Sequence, residues 1–478
     1  MSGVPVTQGL YRGMRMSPVW NGVAWAGLVI LCVAVGGSVV RGGLLPTAVL
    51  GMVVGGAFFF FVGRLGFASL LFWAAVSPLL YPWLRVPSGR PLITFDRLWI
   101  ISMVACLLFT HRERAASKET RFLTLCIAWL VVAWGVRAYT TSGSHLSNVA
   151  NWIDAGVLPL VVFAVTLRFA TTLERCIKLA GAMAIGGTAL AVVGIAGRIV
   201  GYDLAIRAGG TVRFDHQVGA VRIAGTYPVP EVFALVLVVC LAATLYWTLV
   251  RGRPSYALGA TAAVLQAIAI AFTLFRAAWL AALIVVVAAL GIRPGRYART
   301  ILGVGLLGVL LIGGYSQLRQ SSTFQERIQN VQNIQGRLAT YKEGLQIFEQ
   351  HPLAGVGTGQ FAKAQLGVST TSYAGVRAVT SPHSSYVGTL AEQGLLGFVP
   401  LLAVTFAVGR LLRSYRRRAS SSQDVLLAVC VAGAALGYLV MSLTLTMLPY
   451  GPPNAAFLLL VALAAARLDA EPEELVPT

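Results

Sequence analysis

The chain has 478 residues, of which 57% are hydrophobic and only 11% charged, with a mean hydropathy of +0.76. Soluble proteins carry about 25% charged residues, so this composition excludes an ordinary soluble protein and points to an all-α, polytopic bundle of transmembrane helices. The net charge of +20 needs no nucleic-acid partner, because basic residues flanking membrane spans contact the anionic headgroups of membrane lipids.

A bilayer core of ~30 Å needs about 20 apolar residues per helix. On that ruler about 12–14 spans are expected, fourteen by direct count, at 19–40, 45–62, 66–84, 97–110, 121–138, 155–171, 177–197, 229–250, 256–275, 277–292, 300–316, 384–409, 424–447 and 454–467. No short apolar segment with a small-residue cleavage site opens the chain, so the first run is expected to be a retained span. The apolar run from Tyr256 to Leu290 is too long for one helix, and a turn is placed at Arg276. The six cysteines, Cys32, Cys106, Cys126, Cys176, Cys240 and Cys430, lie in or beside apolar runs, which argues against a disulfide framework. No CxxC or Cys/His metal spacing occurs.

Charge placement orients these spans. With both termini cytoplasmic, the inner segments hold 21 of the 37 basic residues: Arg12, Arg15 and Arg64, the clusters at 112–121, 168–178, 251–253, 293–299 and 410–418, and Arg467. One span over 256–290 would move the clusters at 293–299 and 410–418 outside, so two spans fit better. Both long connections, 198–228 and 317–383, then lie outside. The first carries four basic residues against two acidic ones and the second six against three, a basic exterior suited to an anionic ligand or to plain solvation. Three regions follow: an N-terminal bundle over 1–316, a large extracytoplasmic loop over 317–383, and C-terminal helices with a short acidic tail over 384–478.

Within the large loop, Phe324 to Gln350 is predicted as one or two amphipathic helices, with Leu338, Tyr341, Leu345 and Phe348 at helical intervals. Gly355, Gly357 and Gly359 read as a tight turn and not as a dinucleotide fingerprint, because no strand precedes them and no helix clearly starts from them. Ala362 to Pro382 is small and polar, as a mobile flap over a site would be.

Three side chains stand out as chemistry. Arg222 precedes the eighth span, where Pro228 and Pro230 break the helix entry; Arg276 sits at the turn in FTLFRAAWL; His383 opens the twelfth span. An arginine offers a charged planar fork that matches phosphate oxygens, and a histidine near its free pKa of ~6.5 accepts a proton from a hydroxyl. Such a kit suits displacement of a diphosphate by an alcohol. The structural alternatives are that His383 caps a helix end and that Arg276 snorkels to the interface. His145, His216 and His351 lie in polar loops and read as solvated, and Glu392 as a helix–helix hydrogen-bond anchor. The exterior has no paired acids and no His/Asp/Glu cluster with ligand spacing, so no metal and no cofactor are expected.

At these residues the sequence resembles the O-antigen ligase and polymerase-like membrane proteins, the Wzy C-terminal domain group. The likeness is strongest over Arg337 to Gly397, through HPLAGVGTGQF and then His383, Tyr386, Leu390, Glu392, Gly394 and Gly397, and extends to Arg222 with GTYPVPEVFA, to Arg276 with AAWLA and to ITFDRLWIISMVACLLF. It implies a metal-independent, inverting glycosyltransferase of GT-C type in the bacterial cytoplasmic membrane, taking a glycan from a polyprenyl diphosphate-linked donor to a lipid- or glycan-borne acceptor. By the same resemblance Arg222 and Arg276 hold the diphosphate, His383 activates the acceptor hydroxyl, and Arg337 and Tyr386 are secondary candidates. Ser384 stands where Asn is common and Phe275 where Ser is common; neither change removes a charge. A polymerase differs from a ligase only in its acceptor. A flippase of lipid-linked glycans is the alternative from another class, although no internal repeat is present.

Overall fold

The computed structural model describes residues 66–80, 85–86, 93–109, 115–141, 145–200, 214–215, 220–291, 332–367, 372–373, 376–377 and 381–470. The expected spans 19–40, 45–62 and 300–316, Cys32, His216 and the first part of the predicted loop helix, 324–331, lie outside them, as does much of the expected flap.

Helices dominate what is described. They are α1 Gly66–Leu80, α2 Phe95–Phe109, α3 Lys118–Thr140, α4 His145–Trp152, α5 Leu158–Phe169, α6 Leu173–Val200, α7 Pro230–Arg251, α8 Arg253–Phe272, α9 Arg276–Gly291, α10 Gln332–Gln350, α11 Phe361–Gln365, α12 Ser385–Arg418, α13 Ser422–Thr444 and α14 Gly451–Leu468. A π-turn, Ile153–Val157, joins α4 to α5 without a break, so the two form one rod. The strands are three antiparallel two-residue ladders, Arg85–Val86 with Ile93–Thr94, Phe214–Asp215 with Ala220–Val221, and Ser372–Tyr373 with Val376–Arg377. Eight of the described helices are long and apolar enough to cross a membrane, and α1 and α9 are shorter apolar helices. The protein is a polytopic helical membrane protein.

Helix starts follow local chemistry. Ser117, Ser384 and Ser421 cap α3, α12 and α13, each hydroxyl accepting an amide N–H of the first turn. Pro230 opens α7, where its missing N–H costs nothing. Helices that are apolar all round belong in the middle of a bundle: α14 is buried along its whole length and α7 nearly so. α14 lies against α5, α7 packs with α6 and α8, α12 lies along α3, and α9 pairs with α13.

The bundle has two chemically distinct ends. At one, Arg467 donates to Asp424 (Nε–Oδ1 2.9 Å), which also accepts from Tyr415 (2.8 Å), and Asp469 accepts from Ser117 and Thr120. Arg467 is 2% exposed; counted by sequence among the lipid-facing charges, it is instead half of an internal ion pair. At the other end, Arg97 grips Asp154 with both arms of its fork at 2.7 Å, Asp96 accepts from Trp73 and Ser77, and Arg222, Arg276 and His383 are found.

The predicted loop helix forms as α10, but on a different face. Leu338 and Leu345 stay 38% and 45% exposed, while Ala339, Thr340, Glu343, Gly344 and Ile347 are buried. Small residues let α10 approach α12 closely: a Cβ on Gly344 would sit 2.3 Å from Val387 Cγ1. Close approach, not the Leu–Tyr–Leu–Phe stripe, sets the docking face.

Candidate functional site

The long apolar run is interrupted where Arg276 predicts. α8 ends at Phe272, and Thr273, Leu274 and Phe275 turn the chain before Arg276 opens α9. Backbone groups freed at such a break must be satisfied inside the protein. Here Phe272 O accepts the Ile223 amide (3.3 Å) and Thr273 O accepts Arg222 Nε (2.7 Å). Arg222 also pairs with Glu231 (2.7 Å), and the two side chains are 13% and 17% exposed. Arg222 therefore braces the turn that carries Arg276. Arg276 itself is exposed and has no ion-pair partner among the described residues.

His383 precedes the N-cap of α12 by one residue. The cap is Ser384, whose Oγ accepts the Val387 amide (3.5 Å), so His383 does not cap the helix. Ser385 staples this entrance to the end of α13: its hydroxyl donates to Leu445 O (3.0 Å) and accepts the Met447 amide (2.8 Å). From α10, the Tyr341 hydroxyl reaches Leu443 O (2.7 Å) and His383 O (3.3 Å). Burial pushes the Tyr341 phenol above its ordinary pKa, with Arg337 pulling in the other direction. Arg337 stands one turn before Tyr341 on α10.

Two non-glycine residues among those described have positive φ, Leu274 (53°) and His383 (46°). That region disfavours side chains with a Cβ, and such strain gathers at functional sites. Both strained residues belong to this end of the bundle. α9 and α13 tie them together, since Gly437 faces Ala281 and Gly433 faces Val285 and Ala288. These helices run antiparallel, and continuing their register to the start of α9 sets Arg276 level with Ser442 and Leu443. The structure thus links Arg222 through Thr273 to the Arg276 turn, and His383 through Tyr341 to Leu443.

Below His383 lies a cavity of about 380 Å³ between α3, α5, α12, α13 and α14. Its deep walls are Leu, Val, Ala and Ile, while Ser385, Tyr386, Tyr438, Ser442, Asn454 and Trp134 bring polar atoms near one end. Among the described residues, Trp134 Nε1 and Ser442 Oγ are buried without a hydrogen-bond partner. Tyr386, a secondary candidate by sequence, is a wall of this cavity. Polar atoms without partners above an apolar shaft were not legible in the sequence, because they come from separate helices.

The glycine-rich segment is structural. Gly355, Gly357 and Gly359 have φ of 61°, 110° and 73°, the left-handed region that glycine tolerates. Their turn plugs into a break in α12 at Gly394, where φ is 60° and ψ −155°. Val356 and Gly357 amides donate to Ala391 and Glu392 carbonyls (3.0 and 2.8 Å), and Leu395 and Leu396 amides donate to Pro352 and Leu353 carbonyls (2.9 and 3.0 Å). Arg137 and Thr141 of the α3 end hold the plug through Gly355 O and the Thr358 amide. A helix does start from the turn, against expectation: α11 begins at Phe361, which is anchored on Ile347 and Ala391. Glu392 accepts the Phe361 amide (3.2 Å), a hydrogen bond from α12 to the start of α11, where an anion is favourable.

The five described cysteines are buried and free. Among the described residues, no group of three or more His, Cys, Asp or Glu is arranged to hold a metal ion. No curated protein matches the chain. Residues 261–402 do match a family model, Wzy_C, described as O-antigen ligase; the match runs from α8 through the strained turn, α10, the glycine plug and His383 into α12, and over that stretch the chain is similar to the O-antigen ligase family.

Proposed function

We propose that the protein is a glycosyltransferase that moves a glycan from a polyprenyl diphosphate-linked donor to an acceptor hydroxyl on the extracytoplasmic face of the bacterial cytoplasmic membrane. One observation carries the reading: His383 stands in a strained conformation at the mouth of α12, beside the end of α13 that Arg276 approaches from α9. Beneath it lies an apolar cavity with unpartnered polar atoms. A lipid-linked glycan needs these three things together, a cationic group, a proton acceptor and an apolar space.

In this reaction the acceptor oxygen attacks the anomeric carbon as the bond from that carbon to the diphosphate oxygen breaks. The bonding pair leaves with the polyprenyl diphosphate, the anomeric configuration inverts, and the imidazole of His383 takes the hydroxyl proton. Arg276 offers its guanidinium to the diphosphate, where negative charge grows as the bond breaks. Arg222, neutralised in part by Glu231, positions the turn that carries Arg276. Donor and acceptor both diffuse in the plane of the membrane, and holding them in one cleft supplies much of the rate.

The acceptor is a lipid-anchored core sugar in a ligase and the end of another repeat unit in a polymerase. We favour the ligase, in line with the family description. The test uses purified protein, donor extracted from source-cell membranes, and the lipid fraction of cells lacking this protein as acceptor. His383→Ala is expected to lower transfer by at least ~10²-fold with unchanged thermal unfolding. Wild-type transfer by that variant overturns the reading, and mass analysis of the product separates ligase from polymerase.

A further inference from the structure

We infer that Tyr341 positions His383 for proton transfer, its phenol clamping the backbone of the histidine to the end of α13. The inference rests on the functional reading above and adds to it a residue on the extracytoplasmic helix α10.

Geometry points there first. The phenolic oxygen is 2.7 Å from Leu443 O and 3.3 Å from His383 O. One proton serves both carbonyls, strongly at Leu443 and more weakly at His383, so the hydroxyl spans the gap between α13 and the residue that precedes the Ser384 cap. That residue is one of the two non-glycine residues with positive φ among those described. A left-handed backbone is held only where its surroundings over-determine it. Here they include the Ser384 cap, the two Ser385 bonds to Leu445 and Met447, and Tyr341. The first two act after His383; Tyr341 acts on His383 itself.

The setting of Tyr341 suits the task. It lies on a helix whose buried face is pinned to α12 through Gly344 and Val387, so the ring is carried by the element it has to register. Its pKa is raised by burial, and a raised tyrosine pKa keeps the donor proton in place throughout the neutral range. α10 belongs to the loop region and α12 and α13 to the bundle, so the clamp also fixes the distance between them at the point of reaction. A base displaced by 1 Å loses rate out of proportion to its contribution to binding.

Tyr341→Phe keeps the ring and removes the clamp. In the transfer assay described above, kcat is expected to fall about 3- to 10-fold, while KM for the extracted donor stays within about twofold and the unfolding temperature is little changed. A packing role alone would lower the unfolding temperature and leave kcat of the folded fraction unaltered. Wild-type kcat in Tyr341→Phe, or a loss confined to KM, overturns the inference. His383→Ala run beside it separates the two ideas: if that variant is inactive and Tyr341→Phe unimpaired, the clamp alone is wrong. If His383→Ala is active, the catalytic reading fails and takes the clamp with it.

Discussion

At the scale of single residues, the three cationic or protonatable side chains differ in how the protein treats them. Arg222 is committed to Glu231 and to the Thr273 carbonyl, and a charge so paired has less to give a substrate. Arg276 is exposed at the first position of α9, with no ion-pair partner among the described residues. A hydrogen bond to a charged group contributes roughly 1.5–3 kcal/mol. Arg276→Ala is accordingly expected to raise KM for the lipid-linked donor by about 10- to 100-fold. Arg276→Lys should recover only part of it, since an ammonium keeps the charge without the planar fork. Titration of donor binding by both variants checks this, and unchanged affinity in Arg276→Ala removes the residue from the diphosphate site. The position of Arg276 was legible because an arginine in thirty-odd apolar residues marks a break. The partners of Arg222 and Arg467 were not, because Glu231 and Asp424 each read as an ordinary charge at a span boundary until the fold pairs them.

At the scale of elements, the break in α12 matters most. Gly394 sits within an apolar run, where a lone glycine reads as a tolerated member of a helix, and only the loop from Pro352 to Gly357 shows why it is there. Four backbone bonds between that loop and residues 391–396 replace the bonds the helix gives up. The plug needs backbone to touch backbone: a Cβ on Gly394 would lie 2.6 Å from Leu353 C and O, and one on Gly355 would lie 2.3 Å from Glu392 C. Gly394→Ala therefore meets both a left-handed backbone, disfavoured by about 1–2 kcal/mol, and a steric clash. It is expected to cost at least ~2 kcal/mol and to lower transfer, because the plug sets the start of α12 that presents His383. Thermal unfolding in detergent measures the first effect; an unfolding temperature equal to wild type would show that the loop and the helix part without penalty. The docking face of α10 was likewise hidden in sequence. Periodicity finds leucines and aromatics, whereas this helix is seated by Ala339, Gly344 and Ile347, and nothing in its own sequence says which stripe meets α12.

At the scale of the whole molecule, the two ends of the bundle carry different chemistry, and transfer on the extracytoplasmic face requires that the His383 end be the outer one. The charge pattern argues for this, since the dense cluster at 410–418 closes α12 at the end opposite His383 and short basic loops stay in the cytoplasm. Cysteine labelling in intact cells reads the orientation directly, because the five described native thiols are buried and react slowly with a membrane-impermeant maleimide. Leu353, 68% exposed on the plug, and Arg417, exposed in the last turn of α12, lie toward opposite ends of the same helix. Leu353→Cys is expected to label in intact cells, and Arg417→Cys only after the membrane is opened. The reverse pattern would put the histidine, the strained turn and the mouth of the cavity in the cytoplasm, where a glycan already exported on its lipid could not meet them. In the expected pattern, each feature at that end acts on the side where a finished lipid-linked glycan arrives: the break that frees Arg276, the clamp on His383 and the plug under Glu392.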